Sequence, residues 1–128
     1  MRTLLSIAMA LSCAGLWACD EVVMTEDQVL GGVTIPAKTL ERGRRVYNRY
    51  CATCHGAQGD GKGVTSFGQW PPPRDFRTAK FKFAGIQDRG LPADAELARI
   101  IRGGLAGTYM RPWSLSDLEL DAVIQYIK

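Results

Sequence analysis

The feature that most restricts this chain is a run of five residues, Cys51-Ala52-Thr53-Cys54-His55. Two thiols three positions apart, with a histidine directly after the second, are set to act together on one rigid partner. A zinc site needs four ligands, usually from a second Cys or His pair. Here His55 is the only histidine, and the other two cysteines, Cys13 and Cys19, stand near the N-terminus. A dithiol of thioredoxin type sits at a strand-to-helix turn in a βαβ unit, and no such context surrounds this run. The chemistry that uses all three side chains at this spacing is attachment of a haem. The thiols add to its two vinyl groups, and the histidine nitrogen is placed under the iron as proximal ligand.

The N-terminal segment supplies a compartment for that chemistry. Arg2 is followed by a charge-free run from Leu4 to Leu16, shorter than the roughly 20 residues of a membrane-spanning helix. Residues 1–18 therefore read as an export signal. Leu16-Trp17-Ala18-Cys19 resembles a bacterial lipobox, which makes Cys19 the lipidated first residue of the mature chain, although Trp17 replaces the usual small or branched residue. Cleavage after Ala14 by the ordinary signal peptidase is the alternative. Either way Cys51 and Cys54 are left as the only pair, and no disulfide framework exists.

About 110 residues then remain, few for an apolar core made of side chains alone. A large apolar cofactor completes such a core, and 14 glycines with 6 prolines provide the turns to wrap it. Residues 19–37 are acidic at their start, contain Gly31-Gly32 and Pro36, and show no sustained periodicity. They read as a tether, with folding along the domain surface as the alternative. As a flexible tether they span roughly 25 Å.

Residues 38–128 form the domain. Leu40, Gly43, Val46, Tyr47 and Tyr50 recur at helical spacing and predict a helix from Thr39 to about Ala52, with Arg42, Arg44, Arg45 and Arg49 largely outside the stripe. Between Gly56 and Pro92 the chain reads as loop, expected to pack Phe67, Trp70, Phe76, Phe81 and Phe83 against the cofactor. A second helix is expected over Ala93 to Arg102. A third follows Ser116, which forms a capping box with Glu119; Leu115 and Leu120 make a hydrophobic staple, and Leu120, Val123, Ile124 and Ile127 form the apolar face. No segment shows convincing strand alternation.

In this order of parts, the segment from Thr39 to Lys128 resembles a class I monohaem cytochrome c domain. The resemblance implies an all-α, cytochrome c-like fold, with three main helices and long loops wrapped around one covalently bound haem c. It implies a crossing of the first and last helices at Gly43 and Tyr126. It also places the distal iron ligand at Met110, within Gly107-Thr108-Tyr109-Met110; the other methionines, Met1, Met9 and Met24, precede the haem motif. A thioether there is a soft ligand that favours ferrous iron. The family often has proline directly after this methionine, whereas Arg111 intervenes here before Pro112. Arg74 and Trp113 are candidates to bond a haem propionate, and Pro72 or Pro73 to line the ring beside His55.

The implied function is single-electron transfer on the periplasmic side, with no catalytic residues of its own. The chain acts either as a lipid-tethered shuttle or as the haem subunit of a respiratory complex. Residues 38–82 carry ten Lys or Arg against Glu41, Asp60 and Asp75, a bias that suits steering onto an acidic redox partner. Nucleic-acid binding is not expected of an exported chain whose aromatic residues are needed around haem.

Overall fold

A computed structural model describes residues 23–78, 80 and 90–128. The expected export signal, Cys19, and the expected packing of Phe81 and Phe83 lie outside the described residues. Four helices and one hairpin make up the rest: β1 (Gln28–Leu30), β2 (Val33–Ile35), α1 (Ala37–Tyr50), the single-turn α2 (Ala52–His55), α3 (Asp94–Gly103) and α4 (Asp117–Ile127). A 3-10 turn covers Phe76–Thr78. No described helix is long and apolar enough to cross a membrane.

The hairpin departs from the strand-free expectation. Residues Gln28 to Leu30 pair antiparallel with Val33 to Ile35, joined by Gly31 and Gly32 at φ 58° and 88°, the double left-handed turn that two-residue hairpins require. The described part of this segment lies against the domain. Ile35 is buried. The Asp27 carboxylate accepts from Ala37 N–H at 2.8 Å, capping an α1 whose own N-cap, Pro36, offers no side-chain acceptor. Met24 N–H donates to Glu41 Oε2 at 3.1 Å. Glu41 also accepts a forked pair of bonds from Arg44 and one from Arg45. Arg44 is thereby buried, although the helical stripe had put it outside. These partners hold the Glu41 carboxyl down at about 2 from its ordinary 4.5, the Arg44 bond foremost and against the opposing effect of burial.

The main helix–helix interface is that of α1 with α4. It is close because position 43 lacks a side chain: a Cβ there would lie 2.1 Å from the Ala122 carbonyl oxygen and 2.6 Å from Tyr126 Cβ. The core of Val46, Tyr47, Leu97, Ile101, Leu120, Val123 and Ile124 fills the space between α1, α3 and α4. The start of α4 is built as its sequence prescribes. Ser116 Oγ accepts from Glu119 N–H while the Glu119 carboxylate accepts from Ser116 N–H, and Leu115 packs against the core. Arg102 pairs with Asp117. Asp94 takes bonds from Gln125 and Lys128, tying the start of α3 to the end of α4.

Candidate functional site

The five-residue run bends α1 into α2. Cys51 N–H continues the helical ladder to the Tyr47 carbonyl at 2.8 Å, and Cys54 and His55 both donate back to the Cys51 carbonyl, at 3.1 and 2.9 Å. Residues i, i+3 and i+4 of one helical turn share a face. Cys51, Cys54 and His55 therefore point into the same cavity. The glycine-rich loop then fastens this turn from outside: Gly61 N–H donates to the His55 carbonyl and Gly63 N–H to that of Cys54. Thr65 bonds the Thr53 carbonyl through both its N–H and its hydroxyl.

The cavity measures about 370 Å³. Its lining includes Leu97, Ile100 and Ile101 from α3, Leu105 and Met110 from the loop before α4, and Pro71 to Pro73. Among the described residues no aspartate or glutamate lines it, and its charged lining residues are Arg74 and Arg111. Burial pushes the Cys51 thiol up to about 11, with a smaller contribution from Cys54, so this sulfur stays protonated near neutrality. Burial also lowers His55, against the raising effect of its hydrogen bond to Arg74. His55 Nδ1 lies 3.2 Å from the Arg74 carbonyl oxygen. A carbonyl only accepts, so the proton sits on Nδ1 and the Nε2 lone pair is left for a metal.

Met110 reaches the cavity on a tightly folded loop. Leu105 N–H donates to the Met110 carbonyl at 2.9 Å, Thr108 Oγ1 donates to the Leu105 carbonyl, and Met110 N–H donates to Thr108 Oγ1. The half-buried Met110 side chain packs against the core. Arg111, next in the chain, lines the cavity itself. The residues fit a covalent haem on their own chemistry: two thiols, a neutral imidazole and a thioether converge on one apolar cavity. Among the described residues no group of three or more His, Cys, Asp or Glu side chains is arranged to hold a metal ion by itself.

Secondary expectations are met unevenly. Pro72, Pro73, Arg74 and Trp113 all line the cavity. Arg74 also contributes through its backbone carbonyl, which sequence reasoning did not anticipate. Trp113 stacks at a tilt on Tyr50, with centroids 5.5 Å apart. Phe67 and Trp70 do not pack against the cavity; they are 98% and 82% exposed on the loop. That loop is pinned by backbone bonds from Ser66 to Gly63 and from Gln69 to Ser66, and of its residues only Gln69 and Pro71 to Pro73 reach the cavity ahead of Arg74. Phe76 alone of the described loop aromatics packs inward, its ring parallel to His55. Its inward packing is what the sequence led one to expect, and its stacking on His55 is what the structure adds.

Comparisons with known proteins bear on the fold. The family model described as cytochrome C oxidase, cbb3-type, subunit III matches residues 38–127. A solved structure titled Kuenenia stuttgartiensis reducing HAO-like protein complex Kustc0457/Kustc0458 is similar at 33% identity with a TM-score of 0.62, covering 78% of this chain and 43% of that one. The chain thus spans less than half the length of that neighbour. No curated protein sequence matches. With most of its length matched, from the start of α1 to the end of α4, this chain belongs to the cbb3-type cytochrome c oxidase subunit III family and carries a c-type cytochrome domain.

Proposed function

We propose that the chain is a single-electron carrier, holding one haem c through thioethers from Cys51 and Cys54 with His55 and Met110 as the axial iron ligands. The observation that carries this reading is the convergence of these four side chains on one apolar cavity. When bound, the haem supplies a one-electron ferric–ferrous couple. The protein's own residues do the rest. The Arg74 carbonyl fixes the His55 tautomer and makes its Nε2 a better donor. The Met110 thioether favours the reduced iron. Leu97, Ile100, Ile101 and Leu105 line the cavity with apolar groups that would keep water from a bound haem. Were His55 and Met110 both to hold the iron, no position would be left for a substrate, which suits one-electron transfer rather than bond-making chemistry.

The proposed setting is the periplasmic side of a membrane, with residues 1–18 as export signal and Cys19 as the lipidated anchor. Within it the chain serves as the haem subunit of a respiratory redox complex. Its membership of an oxidase-subunit family and its likeness to a component of a protein complex favour this over a lone shuttle. The partner's docking face is acidic, since Arg74 and Arg111 border the cavity and no carboxylate among the described residues does.

Redox titration of the exported protein, with carbon monoxide added to the ferrous form, tests the function. One reversible one-electron wave and no carbon monoxide adduct are expected. An adduct forming readily at neutral pH would mean an open iron, and would replace electron transfer with ligand binding or catalysis.

A further inference from the structure

His55 is held on two sides. Its Nδ1–H meets the Arg74 carbonyl at 3.2 Å, and its imidazole lies on the Phe76 ring, centroids 4.5 Å apart and planes inclined by only 19°. The hydrogen bond limits how far the imidazole slides, and the flat ring against its face limits how far it tilts. Phe76 is itself held. Its N–H donates to the Gly59 carbonyl at 2.8 Å, and its ring meets that of Tyr47 edge-on, at 6.4 Å and 69°. Tyr47 in turn packs on Tyr126 of α4 at 5.4 Å and donates its hydroxyl to the Gly56 carbonyl at 2.7 Å. A continuous run of packed rings therefore connects the α1–α4 interface to the imidazole.

We propose that Phe76 is a positioning residue for His55, its stacked ring setting the plane in which the imidazole meets the iron; this rests on the haem reading above. A side chain that merely filled space here would only need to be apolar. A parallel ring does more, because a flat face resists rotation of the plane it packs against. The plane of the axial imidazole governs which iron orbital holds the unpaired electron of the ferric form. It thereby governs how spin density is shared among the four methyl groups at the haem periphery, which proton magnetic resonance reads directly.

The test compares ferric spectra of the unsubstituted haem protein with those of F76L, F76M and F76Y. F76Y keeps a flat ring and is expected to preserve the order and spread of the haem-methyl shifts. F76L and F76M keep apolar bulk without a flat face and are expected to lose that order, while retaining covalent haem and the methionine-sulfur charge-transfer band. Methyl shifts in F76L or F76M that superimpose on the native pattern would overturn the proposal and leave Phe76 as packing alone. Should the non-aromatic variants fail to accumulate, the native protein decides through magnetisation transfer between the Phe76 and His55 ring protons. Strong transfer supports the stack and its absence overturns it. Failure of the underlying haem reading is distinguishable, since the unsubstituted protein would then carry no haem signals at all.

Discussion

Replacing Gly43 by alanine sets two effects of comparable size against each other. Alanine in a helix interior is favoured over glycine by about 1 kcal/mol. Its methyl group, however, would sit 2.1 Å from the Ala122 carbonyl oxygen, 2.8 Å from the Ala122 carbonyl carbon and 2.6 Å from Tyr126 Cβ. None of these atoms can rotate away, because two are backbone and the third is fixed to it. The two helices must part by about 1 Å to relieve the clash, and a close-packed core does not absorb that without loss. Overpacking of this kind costs about 1–3 kcal/mol, and the rigidity of the obstructing atoms puts this site at the upper end. The net destabilisation is about 2 kcal/mol, or about 10 °C in melting temperature for a domain of this size. Urea unfolding of the haem-loaded G43A protein, followed by far-ultraviolet circular dichroism, measures it. A higher midpoint than the unsubstituted protein, as helix propensity alone demands, would refute the account of the α1–α4 interface.

Other outcomes follow from single contacts. Glu41 is held at about 2 in the folded chain against an ordinary 4.5. Its contribution to stability is therefore full above pH 4.5 and is lost as pH falls toward 2. E41Q should lower stability at pH 7 by about 1–3 kcal/mol, with the gap closing over that acid range in parallel urea titrations; a gap independent of pH would contradict the assignment. S116A removes the α4 cap and should destabilise by about 1 kcal/mol, and an unchanged unfolding midpoint would count against the capping box. M110A should keep covalent haem but abolish the ferric methionine-sulfur charge-transfer band and lower the reduction potential. No change in either would remove Met110 as a ligand.

Much of the site is legible in sequence because its parts are local. Cys51, Cys54 and His55 share a helical turn whatever the rest of the chain does, and Ser116 with Glu119 closes a cap within four residues. Gly43 is readable for a different reason: a glycine inside a helical stripe calls for a neighbour that needs the space, and Ala122 and Tyr126 provide it. The hairpin escaped notice because each strand has three residues and no room to alternate, although the Gly31-Gly32 pair between Leu30 and Val33 was a turn signal. Arg44 reads as a surface charge until Glu41, three residues earlier, is seen to neutralise it at the domain edge. Phe67 and Trp70 were misjudged because apolar character alone does not tell which way a loop turns. Phe76 shows the same limit from the other side: its place against His55 depends on a loop that first returns to Gly59.

The central claim is that one porphyrin is bonded to Cys51 and Cys54, and the mass of the exported protein under denaturing conditions tests it most directly. The account predicts a mature polypeptide, freed of residues 1–18, whose mass includes one haem, with the C51A and C54A double variant lacking that increment. A secreted chain without the haem increment, made by cells whose haem-attachment machinery is active, would contradict it.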